Sequence, residues 1–202
     1  RMNQEPYIYT KNTIEFVTVA AETCLFLEHA SENTKEDFVT KSLKILALLY
    51  LKTILVYVSE IESDENIERF VGEEDYLFVK EQVEQLLGSD DTFLEVFHPD
   101  MPYSDTPIAC FISENLADIY QELKDFAANF QIGDEEIMSS ALQSCIEGFA
   151  LHWGQKLLNV MRALHSYRFS DTFGIEEEDN FNPDEYRKID RNSFLNFQKD
   201  EE

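Results

Sequence analysis

Carboxylates are the side chains with the most chemical potential in this sequence, because one residue in five is Asp or Glu, 41 of 202. Two pairs are spaced to share a helical face: Glu81 with Glu84, and Glu122 with Asp125. Residues three apart on a helix are neighbours, and clustered oxygens are what Mg²⁺ requires. Together the four would support metal-assisted hydrolysis of a phosphorylated substrate, with the cation polarising a phosphoryl oxygen. The weakness lies in the surroundings. The pairs are far apart in sequence, Glu65 and Glu68 match the spacing equally well, and no run of Lys or Arg supplies phosphate contacts. A solvated acidic face is the plainer reading, and no cofactor or metal is expected.

Other arrangements carry less chemistry. Glu95 and His98 form one E-x-x-H pair, whereas a di-iron bundle needs two such pairs and two further Glu. Cys145 and His152 lie about two helical turns, ~10 Å, apart, too far for a nucleophile–base contact, so they read as a core thiol and a satisfied core histidine. The six glycines are never closer than six positions, which removes the Gly-rich phosphate loops. H-E-x-x-H, C-x-x-C and G-x-S-x-G are likewise missing, so zinc proteases, thioredoxin chemistry and α/β-hydrolases have no foothold. No catalytic residue emerges.

A row of polar residues is more suggestive. His152, Gln155, Asn159 and Arg162 follow at steps of three, four and three beside Trp153, the single tryptophan. Asn115, Asp118, Glu122 and Asp125 form a second row. If the helices bearing them are neighbours, Arg162 can pair with Asp118 or Glu122. The rows then either fix helix register or line a groove for a small polar ligand, built from Asp118, Glu122, His152, Trp153, Gln155, Asn159 and Arg162.

Helices must position these rows, and the periodicity supplies them. Within residues 103–130, Ile108, Ile112, Leu116, Ile119, Leu123, Phe126 and Phe130 recur at steps of four or three, drawing one apolar stripe along about seven turns. Thr106 and Pro107 suit its cap and first position. Residues 134–167 read as one long helix capped by Asp134, with Gly148 and Gly154 marking a close contact or a bend. Residues 12–29 form another, with Ile14, Val17, Ala21 and Cys24 or Leu25 along one side. Thr34 caps a segment running to about residue 61. Its middle is oily all round, which predicts the buried centre of a bundle. Residues 73–87 make a further helix, stopped by Gly88, and residues 90–98 a short one before Pro99 and Pro102.

The formal charge of −25 is spread over the chain. From Phe169 onward there are eleven Asp/Glu against four Lys/Arg, which leaves −18 on the body. Such a body repels phosphate backbones and anionic lipid, so neither nucleic acid nor membrane is an expected partner; a basic protein is. Three scattered cysteines in apolar contexts predict free thiols in a reducing compartment. The first residues, RMNQEPYIYTKN, lack the apolar stretch of a secretory signal, and no run reaches the ~18–20 apolar residues of a membrane span. A cytoplasmic location is therefore expected. Residues 169–202 are acidic and aperiodic but rich in aromatics, predicting a tail partly docked on a domain of residues 1–168.

Five ordered blocks, KILALLYLK (44–52), FVGEEDY (70–76), MPYSDTPI (101–108), ISENLADIYQELKDF (112–126) and HWGQKLLNVMRALH (152–165), resemble an uncharacterised bacterial family of about this length. The resemblance implies an all-helical cytoplasmic protein and transfers no activity. The paired carboxylates resemble, more loosely, those of all-helical nucleotide pyrophosphohydrolases. The sequence thus predicts an all-α irregular bundle of about five long helices plus a short one, with an acidic tail. Its expected role is a non-enzymatic interaction or regulatory module. The alternatives are a Mg²⁺-dependent nucleotide hydrolase or a small-ligand groove near Trp153. Oligomeric state is left open.

Overall fold

A computed structural model describes residues 7–58, 67–95, 100–103 and 105–175. Among them six α-helices appear in chain order: α1 (Lys11–Glu28), α2 (Lys35–Ile54), α3 (Glu73–Leu87), α4 (Ile112–Gln131), α5 (Glu135–Gly148) and α6 (Gly154–Arg168). The all-α bundle is as predicted, and most starts are explained by their caps. The Thr10 and Thr34 hydroxyls accept from the backbone N–H groups of Thr13 and Asp37, and Asp134 accepts from those of Glu136 and Ile137. These contacts satisfy first-turn donors that have no partner within the helix. Gly88 ends α3 at φ 58°, a backbone state that only glycine adopts freely.

Four expectations need correcting. Residues 92–95 are a strand, not part of a short helix: β1 (Thr92–Glu95) pairs antiparallel with β2 (Ile108–Phe111), Thr92 opposite Phe111 and Glu95 opposite Ile108. Only ten residues separate Gly88 from Pro99, and Gly88–Asp91 are already a 3-10 turn, so too little chain is left for an α-helix to repay its nucleation. His98, the other half of the E-x-x-H pair, lies outside the described residues. Because β2 takes residues 108–111, α4 begins at Ile112 and neither Thr106 nor Pro107 starts it. Its N-terminus is capped from 22 residues upstream. Asp91 accepts from the Ser113 backbone N–H at 2.7 Å and from the Ser113 hydroxyl at 2.6 Å. A distant carboxylate replaces the local cap.

The third correction concerns α1. Its buried side is Thr13, Phe16, Val19, Ala20, Thr23, Cys24 and Leu27, while Ile14, Ala21 and Leu25 are exposed, so the true stripe runs about one residue away from the expected one. The fourth concerns the centre. α2 stops at Ile54, short of residue 61, and is peripheral; its Leu48, Leu51 and Ile54, with Leu55 just beyond, are 43–54% exposed. α4 is the central helix and packs against α1, α3, α5 and α6. It buries Ile112, Leu116, Ile119, Leu123 and Phe126 to 2% exposure or less.

The long helix expected over residues 134–167 is interrupted where its glycines stand. Residues Phe149–Trp153 form a π-turn between α5 and α6. A Cβ on Gly154 would sit 2.5 Å from the Phe149 carbonyl oxygen, so this turn excludes any side chain there. A Cβ on Gly148 would lie 3.4 Å from both Glu122 and Trp153, which marks the close approach of α5 to α4. The extra residue in this turn rotates the faces of α6 relative to those of α5. His152 is exposed, not a core histidine, while Cys145 stays buried.

Candidate functional site

The glycine contact and the π-turn set the geometry of a groove of about 640 Å³. One wall is the polar side of α4, contributing Glu114, Asn115, Asp118, Gln121 and Glu122. The other is the π-turn and the first turns of α6, contributing His152, Trp153, Gln155, Lys156 and Asn159. Glu95, Cys110 and Phe111 of the β-ribbon close one end. Six of the seven residues singled out as a possible ligand groove therefore line a single concavity. Arg162 does not. It borders a neighbouring cavity of about 390 Å³ that shares Glu95 and Asn159 with the groove.

Polar contacts tie the groove together. Asp118 accepts from the Tyr76 hydroxyl at 2.9 Å and pairs with Lys156; this lysine, not Arg162, meets the α4 row. Asn159 donates its amide to Glu95, linking α6 to the ribbon, and Gln155 donates to Asn159 at 3.2 Å. The Trp153 indole N–H donates to the Cys145 carbonyl at 2.9 Å. This bond spans the π-turn and fixes the buried ring as part of the floor. Sequence reasoning missed Glu95, Glu114, Gln121 and Lys156 as groove residues. The steps from Asn115 and Asp118 to Gln121 and Glu122 could have signalled Gln121, but nothing local could place Glu95, whose strand forms only by pairing at long range.

Burial pushes the Glu122 carboxyl above the usual carboxylate range. Asp118 and Asp125 reinforce the shift, while Arg69 and His152 oppose it. Burial also raises the Cys110 thiol, with Glu95 and Glu114 adding to the effect, so Cys110 is held protonated and is a poor nucleophile. Cys145 is pushed far up by full burial, and Cys24 to about 12. All three cysteines are free thiols.

The four carboxylates of the hydrolase alternative are not gathered. Asp125 faces away from the groove and accepts from the backbone N–H groups of Phe70 and Val71 at 2.7 and 2.9 Å, holding the approach to α3. Glu84 is engaged by Lys80 on α3 itself. Among the described residues, no three His, Cys, Asp or Glu side chains come close enough together to hold a metal ion.

The helical architecture agrees with what the sequence is similar to. Residues 7–170 match the model of a family described as Domain of unknown function (DUF5063), and the chain belongs to that family. A similar solved structure is the crystal structure of protein BF1032 from Bacteroides fragilis, a structural genomics target. It is 45% identical, with a TM-score of 0.73 over 82% of this chain and 97% of that one. No curated protein shows significant similarity. Among the described residues no helix is long and apolar enough to cross a membrane.

Proposed function

We propose that this protein is a non-enzymatic interaction module whose α4–α6 groove engages a basic segment of a protein partner. One observation carries the reading: Glu95, Glu114, Asp118 and Glu122 line the groove, and with Lys156 on Asp118 and Lys80 at 3.9 Å from Glu114 the concave surface still keeps a net negative charge within an already anionic body. Low-dielectric walls focus such a field, attracting cationic groups and accelerating their association. The α4 carboxylates would meet the charged end of a lysine or arginine, and the exposed Leu151 in the same lining offers an apolar contact for its alkyl stem.

Calorimetric titration with a short Lys/Arg-rich peptide, followed in parallel by Trp153 fluorescence, tests this. Binding should weaken as salt rises and fall about tenfold in the Glu114→Gln/Glu122→Gln double variant, as lost charge pairs of roughly 1.4 kcal/mol in total imply. Equal affinity of the double variant would assign any binding to general acidity and remove the groove from the proposal. The groove also suits a small polar cation. Saturation of the Trp153 response by a polyamine, with no response to peptide, would select that reading instead.

A further inference from the structure

The acids that dominate this sequence stop abruptly in one place. Residues 38–59 contain no Asp or Glu, and their only charges are Lys41, Lys44 and Lys52. The outer side of α2 draws a stripe through this stretch, Lys41, Lys44, Leu48, Leu51 and Leu55, at alternating steps of three and four, and every member is exposed. Lys52 is turned aside to pair with Glu15 on α1. Lys41 donates to Asn33 at 2.7 Å, and Lys44 has no ion-pair partner among the described residues. An exposed leucine ridge beginning in lysines stands out from the acidic character of the chain. It calls for an occupant that is apolar and acidic at once.

We propose that this stripe is the docking surface for the chain's own segment 176–202. That segment carries ten Asp/Glu against four Lys/Arg, interspersed with Phe181, Tyr186, Ile189, Phe194, Leu195 and Phe197, which is the required chemistry. Its point of departure is also right. Phe173 packs on Tyr167 at 5.4 Å, and the Lys35 ammonium stands 5.1 Å over the same Tyr167 ring, so the chain leaves the body beside the first turn of α2. Leu48–Leu55 lie 13 to 20 residues further along that helix, ~20–30 Å at 1.5 Å per residue. Twenty-seven residues, at up to ~3.3 Å each, are more than enough to bridge that gap. Covalent attachment makes such docking intramolecular, which favours the chain's own segment over a separate chain. A second copy fits less well, because a second such stripe carries no acid to meet Lys41 or Lys44 and the two bodies already repel.

Zero-length carbodiimide cross-linking of the full chain, mixed from equal amounts of ¹⁴N- and ¹⁵N-labelled protein, tests the assignment. Peptides joining Lys41 or Lys44 to carboxylates of residues 176–202 should appear, each carrying one label throughout. The full-length Leu48→Ser/Leu51→Ser variant, which alters no charge and no buried residue, should reduce their yield about fivefold as apolar contact is lost. The Lys124–Glu28 link inside the body, 2.6 Å in the structure, should be unchanged and so reports that the variant is folded. Mixed-label links would overturn the proposal in favour of a second copy. Failure to find links from the tail to Lys41 or Lys44, or a yield indifferent to the serine substitutions, would overturn it in favour of an acidic segment from another protein.

Discussion

The helices α2 and α4 are both 20 residues long, yet the oilier one lies at the edge and the more amphipathic one at the centre. The α2 segment leaves four large aliphatic side chains 43–54% exposed. α4 is surrounded by four other helices although it carries Glu114, Asp118, Glu122 and Asp125. The difference lies in how polar groups are satisfied. Ser113 meets Asp91, Asp118 meets Tyr76 and Lys156, and Asp125 takes two backbone N–H groups. Tyr120 donates to Glu28, and Asn129 donates to the Glu68 carbonyl at 2.7 Å. A central helix must bury a face against several neighbours and also find partners for the polar groups it carries inward. Apolar content alone selects neither position.

The largest expected effect tests this contrast directly. Leu116→Ala on α4 removes a side chain with 0% exposure and should cost about 3 kcal/mol, the range for a partly relaxed cavity. Leu51→Ala, at 48% exposure, should cost about 0.5 kcal/mol or less. Urea denaturation of both variants decides the matter: comparable losses would mean that α2 is as integral to the core as α4.

The cap that ties the β-ribbon to α4 gives the next effect, and its sign is set by one shift. Burial raises the Asp91 carboxyl to about 6 from 3.8, and the two Ser113 hydrogen bonds only partly offset it. The folded protein therefore holds this proton more tightly than the unfolded chain. Stability from Asp91 protonation is complete below about pH 3.8 and is lost as pH rises through about 6, an upper bound of about 3 kcal/mol for two units. Relief of the overall negative charge acts in the same direction, so the diagnostic is a difference. Asp91→Asn should flatten the pH dependence of the melting temperature between about pH 4 and 7 relative to the parent. Parallel curves would show that Asp91 does not titrate in this window.

The π-turn comes third. Gly154→Ala forces a methyl against the Phe149 carbonyl and should cost about 2 kcal/mol as an overpacked site. The same change at Gly148, where the contact is 3.4 Å, should cost less but narrow the groove beside Glu122. A reversed order in thermal melts would mean that the turn relaxes to a regular helix and carries the groove wall with it.

These cases also show what is legible in the sequence. The α4 stripe, the Thr34 and Asp134 caps, the Gly88 stop and the two glycines of the interrupted helix are all readable, because each depends on residues within a turn or two. The convergence of Asn115, Asp118 and Glu122 with His152, Gln155 and Asn159 is readable once the two helices are taken as neighbours. β1, the Asp91 cap and the partners of Asp118 are not. Each depends on contacts between residues 13 or more positions apart, from Glu95 with Ile108 to Asp118 with Tyr76, and local propensity carries no trace of them. The burial of α2 is misjudged from sequence because an all-round apolar pattern gives the content of a helix without saying how many of its sides are covered.

The smallest expected effect separates the two roles of the groove's polar residues. Asp118 and Lys156 are roughly a third exposed, at 32% and 39%, so their pairing is partly screened and worth about 0.5 kcal/mol. Asp118→Asn keeps the acceptor for the Tyr76 hydroxyl and should leave the melting temperature nearly unchanged. It also frees Lys156 and removes one negative charge from the groove, so binding of a cationic peptide should weaken several-fold, as for a lost charge-assisted contact of about 1 kcal/mol. A register-fixing network predicts the opposite pattern, with stability lost and binding retained. Measuring both on one variant decides whether α4 carries its carboxylates to hold α6 in place or to present them to a partner.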